Sequence, residues 1–159
     1  MRHFLLDLAP FERFDLEMAR MVSGDPRTGN LLDWLLHNTT MLRYDDVRHF
    51  HFWPQFRAFL LWEMEKECSE EKRRAVFSRG ALYYELKEDY AHALECYTKS
   101  GDHAKISELL IRNSEQHPGM GHYSEMETYY RALPESEILA SPSLMQGMSM
   151  LCALAMDYE

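Results

Sequence analysis

Glycine and proline are scarce, 7 and 6 in 159 residues, so little interrupts a helix along this chain. Basic residues are also few: 17 Lys and Arg stand against 26 Asp and Glu, a formal net charge of −9. A chain of that sign repels phosphate backbones and anionic lipid, which argues against holding nucleic acid or membrane through bulk electrostatics. The three cysteines, Cys68, Cys96 and Cys152, are odd in number, far apart and never spaced C-x-x-C. That excludes a disulfide framework and fits a reducing compartment. No apolar run approaches the ~20 residues that span a bilayer, and the start lacks the basic region and cleavage site of a signal peptide. A cytoplasmic protein is expected. What the chain does have is 46% hydrophobic residues, 13% aromatics and 11 methionines, the composition of a globular fold with bulky helix interfaces rather than of a disordered segment.

Apolar residues keep a helical period nearly everywhere after residue 53. Phe56, Phe59, Leu60 and Met64 form one stripe; Tyr90, Ala93, Leu94 and Tyr97 another; Ile106, Leu109 and Leu110 a third. Met126, Tyr129, Tyr130 and Leu133 follow, then Leu144, Met148, Leu151, Cys152 and Ala155. Between them lie short breaks at Ser100-Gly101-Asp102, His117-Pro118-Gly119-Met120-Gly121, Leu133-Pro134 and Ser141-Pro142. Connections so short predict antiparallel helical hairpins. The first third reads differently. Asp15 can cap a short helix ending near Ser23-Gly24-Asp25-Pro26, and a second helix from Thr28 would bury Leu31, Trp34 and Leu35. Two short β-rich runs then flank Asp45-Asp46-Val47. Helix, helix, hairpin, helix is the order of a winged helix, placed at residues 1–68, with helical hairpins over 69–159.

Residues that could carry chemistry are few. Gly24 to Gly29 has the spacing of a phosphate loop, but Asn30-Leu31 replaces the lysine and hydroxyl that hold phosphate and magnesium, so it reads as a turn between helices. Gly119-Met120-Gly121 reads as a loop. His49 and His51 alternate along a strand and share a face, yet no third ligand stands at zinc spacing, so no metal is expected. Glu63, Glu65, Glu67, Glu70 and Glu71 alternate with bases as a solvated helix surface would, with Glu70 placed to pair with Arg74. No G-x-S-x-G presents a serine, and no catalytic residue or cofactor is expected in the segment. The would-be reading helix, Thr28 to Leu42, has no Lys or Arg and only Asp33 as a charge. It therefore lacks both phosphate attraction and an arginine for guanine, and direct DNA contact is not expected.

The segment from Gly80 to Leu110 resembles a tetratricopeptide core: Gly80 and Tyr83 are three apart, and Asp89-Tyr90 precede Ala93 and Tyr97, with one additional residue in the turn. Together with what precedes it, the chain resembles MalT-type regulators of the LuxR family of signal-transducing ATPases. Phe4 to Phe14 resembles the family's F-L-x-x-T-S-x-L-x-R-F segment, Phe56-Arg57-Ala58-Phe59-Leu60 its F-R-x-F-L helix, and Tyr129 to Glu135 with Ser141-Pro142-Ser143-Leu144 its W-L-x-x-L-P and x-P-x-L steps. Trp53-Pro54 stands where such regulators commonly carry a histidine pair, so the resemblance implies no histidine contact to nucleotide here. It does imply a mainly α fold, a winged helix joined to the start of an α-superhelix.

By the same resemblance the function is regulatory rather than enzymatic. ATP and DNA would be handled by a nucleotide-binding domain and a terminal helix-turn-helix that these residues do not include. A protein or small-molecule effector would meet the helical repeats, where Tyr83, Tyr84, Tyr90, Tyr97, Tyr129 and Tyr130 are the candidate surface; packing inside hairpins is the competing role for each. A membrane partner is not expected. An apolar last helix without a partner would suit a piece of a longer regulator or a relative that pairs with itself. The rival reading is a free-standing tetratricopeptide-like scaffold that binds a protein or peptide.

Overall fold

The computed structural model describes residues 1–116 and 122–156, with side chains through Leu154. The expected turn at His117–Gly121 and the side chain of Ala155 lie outside the described residues. Ten helices and one two-stranded antiparallel sheet are formed among them, in two compact units, Met1–Tyr83 and Tyr84–Glu159.

The first unit runs α1 (Arg2–Leu8), α2 (Leu16–Ser23), α3 (Thr28–Asn38), β1 (Leu42–Tyr44), β2 (Phe50–Phe52), α4 (Pro54–Glu67) and most of α5 (Glu70–Leu86). Asp15 caps α2 by accepting from the Met18 amide at 2.7 Å, and Gly24 closes the helix at φ 63°. The hairpin pairs Leu42 with Phe52, Arg43 with His51 and Tyr44 with Phe50. Phe14 extends it with two bonds to Phe50, at 3.1 and 2.7 Å, so the segment after α1 is an added rung of the wing. Phe14, Phe50 and Phe52 pack together, with ring centroids 5.9 and 5.5 Å from Phe14. Around them Phe4, Leu6, Leu8, Phe11, Met18, Val22, Leu32, Leu35, Leu60, Met64 and Val76 complete the core.

Two expected faces are corrected. On α3 the buried residues are Thr28, Leu32 and Leu35, while Trp34 is 51% exposed. The phase is set at the first residue: the buried Thr28 hydroxyl bonds the Asp25 carbonyl at 2.6 Å, which turns positions i, i+4 and i+7 inward. On α4, Leu60 and Met64 are buried but Phe59 is 52% exposed and packs with the outward Trp62, ring centroids 6.2 Å apart. Here Arg57 fixes the rotation, donating from Nε to the Ala9 carbonyl and from Nη2 to that of Pro10, both at 3.0 Å. Helix α1 was not foreseen as a helix. It packs on α2 and α4, and Arg2 pairs with Glu63 and Glu67.

The second unit holds α6 (Tyr90–Ser100), α7 (His103–Ser114), α8 (Tyr123–Ala132), α9 (Glu135–Ala140) and α10 (Pro142–Met156). Asp89 and Asp102 cap α6 and α7, and Gly101 joins them at φ 74°. Before α6, Glu88 stands at φ 60°, so the additional residue of that turn is accommodated by a left-handed step. Helices α6, α7 and α8 pack on one another, and α10 packs on α7, α8 and α9. The core is Ala93, Leu94, Tyr97, Ile106, Leu109, Leu110, Tyr123, Met126, Tyr130, Leu144 and Leu151, so the stripes on α6, α7 and α8 turn inward, whereas on α10 Leu144 and Leu151 are buried and Cys152 of the expected stripe is exposed. The fold class is that expected: a winged-helix unit followed by helical hairpins, mainly α.

Helix α4 ends at Glu67 and α5 begins at Glu70, and the compact units divide further along, after Tyr83.

Candidate functional site

The six tyrosines lie in different surroundings. Tyr83 belongs to the first unit; it is buried, and its hydroxyl donates to Asp15 Oδ2 at 2.7 Å. The other five belong to the second unit. Tyr97 is buried and donates to Glu85 Oε2 at 2.7 Å, while Arg112 reaches Glu85 Oε1 at 3.0 Å. Burial and then the Glu85 carboxylate push the Tyr97 hydroxyl well above its ordinary pKa. Tyr130 is fully buried: its hydroxyl lies 2.5 Å from the Leu110 carbonyl and 2.7 Å from Ser114 Oγ, and accepts from Asn113 Nδ2 at 3.3 Å. Gly147 of α10 makes room for that ring, since a Cβ there would meet Tyr130 Cε1 at 2.7 Å.

Tyr84, Tyr90 and Tyr129 keep partial exposure. Tyr84 stacks on His92 at 5.0 Å between centroids, and Tyr90 packs against His122 at 4.8 Å with the Arg112 guanidinium 5.9 Å over its ring. Burial and the nearby Glu95 charge raise the Tyr129 hydroxyl pKa. Thus Glu85 and Arg112 tie Tyr90 and Tyr97 into one neighbourhood, while Tyr130 stands in a buried polar cluster with Asn113 and Ser114.

On the winged helix, the outer face of α3 shows Asn30, Asp33, Trp34, His37 and Asn38. His37 folds back on Asp33, and Asn38 donates to the Trp34 carbonyl at 2.9 Å. No guanidinium or ammonium projects from this helix. The Gly24–Gly29 segment is a turn between α2 and α3 in which Asp25 accepts from the Arg27 amide and pairs with its guanidinium, holding the carboxyl pKa down to about 2. Among the described residues no group of three or more His, Cys, Asp or Glu is placed to hold a metal ion, and no helix is long and apolar enough to cross a membrane.

A cleft not foreseen from sequence opens where the strand pair meets the start of α4. It has a volume of about 380 Å³, and Arg13, Arg43, Arg57 and His51 line it beside Phe52 and Trp53. Arg43 and His51 are directly paired across β1 and β2 and so share a face. The Arg43 guanidinium lies 4.0 Å over the Trp53 ring. The sequence carried half of this signal: Arg57 is the motif arginine of F-R-x-F-L and Trp53 marks the departure before it. The hairpin register supplies the rest.

The short hairpin, the Phe14 rung and the helices around them define a winged-helix unit, with no cation on its reading helix. Residues 1–72 match the family model of the MalT winged helix domain. No curated protein matches the chain.

Proposed function

We propose that the chain is a non-catalytic regulatory segment of a MalT-like, LuxR-family regulator, in which the winged helix packs against a nucleotide-binding domain and the helical hairpins begin an effector-receiving superhelix. The match of residues 1–72 to the MalT winged helix domain carries this reading, and the helical hairpins that follow support it. The cation-free outer face of α3 is consistent with a winged helix that meets protein rather than DNA. Two states of the parent protein, one closed and one competent to assemble, would differ in contacts made by these surfaces, and an effector would shift their populations. ATP chemistry and DNA contact belong to other domains of such a protein.

The open reading frame around the segment tests it directly. A phosphate loop upstream and a helix-turn-helix downstream are expected, whereas a frame that starts at Met1 and stops after Glu159 overturns the proposal. Mobility shift on random duplex at low salt supplies a second reading. No retardation is expected from the segment alone, and salt-sensitive retardation would return DNA contact to the winged helix.

A further inference from the structure

We propose that the cleft between the strand pair and the start of α4 binds a small, flat monocarboxylate. This goes beyond the regulatory reading and does not depend on it, because every residue used lies in the first unit.

Size comes first. A cavity of about 380 Å³ falls at the small-molecule end of ligand sites, too small for a folded partner and ample for a ring bearing an acid group. Charge sets the ligand's sign and valence. Arg13, Arg43, Arg57 and Glu12 all line the cleft, and Asp45 sits 3.7 Å from Arg13. Three guanidinium charges against two carboxylates leave one net positive charge in a chain that is acidic overall. A monoanion balances that charge, whereas a phosphate dianion would leave an excess negative charge beside Glu12.

Donors are available. Arg57 spends Nε and one Nη2 bond on the Ala9 and Pro10 carbonyls, and a guanidinium has five N–H donors. Arg43 is held over the Trp53 ring, so less side-chain freedom is lost when a carboxylate docks on it. His51 lines the cleft, and its Nδ1, turned away from solvent, has no hydrogen-bond partner among the described residues. Phe52, Trp53 and Pro54 give the wall an apolar side for the ring. Trp53 therefore serves as the platform that positions Arg43.

The test uses the full chain with Trp34→Phe and Trp62→Phe, leaving Trp53 as the fluorophore, titrated with sodium benzoate at constant ionic strength and checked by calorimetry. Saturable binding at ~1 mM or tighter is expected. Benzamide, which has the ring without the charge, and inorganic phosphate should each bind at least about tenfold more weakly. Arg43→Ala, at an exposed strand position, should weaken benzoate by about tenfold with the helical circular dichroism unchanged, and Arg13→Ala should weaken it less. Absence of saturation well above ~1 mM overturns the proposal. So does equal affinity for benzamide, tighter binding of phosphate, or benzoate affinity indifferent to Arg43→Ala.

Discussion

The Tyr83 hydroxyl donates to Asp15 Oδ2 at 2.7 Å across 68 positions of sequence, while Asp15 Oδ1 accepts from the Met18 amide that opens α2. One carboxylate thus both starts a winged-helix helix and receives α5. Tyr83→Phe removes the second bond and leaves the cap, and should cost about 1–2 kcal/mol, as expected of a partly buried bond to a charged acceptor. Asp15→Ala removes bond and cap together and should cost about 2–3 kcal/mol. In a double-mutant cycle by chemical denaturation the pair should couple by about 1 kcal/mol, and additive losses would mean that the bond contributes nothing in solution.

Two glycines on helices should respond to the same substitution with opposite sign. Alanine in place of glycine in a helix gains up to about 1 kcal/mol from propensity alone. At Gly29 a Cβ would meet nothing nearer than Arg20 Nη2 at 3.9 Å, so Gly29→Ala should raise Tm slightly. At Gly80 the Cβ would collide with the ring of Phe11, which is 3% exposed and has nowhere to go. Overpacking of that kind costs about 1–3 kcal/mol, so Gly80→Ala should lower Tm despite the better helix former. Equal shifts at the two sites would show that Phe11 does not hold α5.

Gly80 also shows what the sequence could and could not convey. Its spacing from Tyr83 is legible as part of the tetratricopeptide-like pattern. The structure gives its nearest neighbours as the ring atoms of Phe11, and points Tyr83 at Asp15. Spacing identifies a residue that must be small or inward; it does not name the partner, because partners 60 or more residues away are chosen by packing. Arg57 is similar: the F-R-x-F-L motif was legible, but the role of its arginine in satisfying carbonyls after α1 required the contact itself. Caps were the most legible features, since Asp15, Gly24, Gly101 and Asp102 act within three or four residues of themselves. The cleft was the least, because it depends on a strand register that pairs Arg43 with His51.

The three thiols should separate by reactivity. Cys152 is exposed, Cys68 is intermediate and Cys96 is buried, with burial and then the Glu95 charge pushing the Cys96 pKa up to about 12. At pH 8 the thiolate fraction at such a pKa is lower than that of a free cysteine by roughly 10³-fold. A thiol reagent applied to the native protein should therefore label Cys152 promptly and reach Cys96 only through unfolding. Peptide mapping after timed labelling reads this, and prompt modification of Cys96 at pH 8 would contradict its place inside α6.

Asp7 on α1 should make the winged-helix unit more stable at mildly acidic pH than at neutrality. It is 7% exposed, and burial raises its carboxyl pKa while the charge of Lys72, 3.5 Å from Oδ1, lowers it; burial is the larger effect. Because the folded pKa is above the unfolded one, the folded state takes up a proton first as pH falls. The destabilisation is therefore complete above the folded pKa, declines as pH drops through it, and vanishes below the ordinary aspartate value near 3.9. Asp7→Asn removes the charge and keeps the shape, so Tm should rise at pH 7 and the gain over wild type should shrink as pH approaches 4. Lys72→Ala removes the compensating cation and should lower Tm at pH 7, with a loss that shrinks as the pH falls and the carboxyl takes up its proton. If Asp7→Asn instead loses stability at pH 7 and recovers relative to wild type in acid, the Lys72 pairing outweighs burial and the sign is reversed.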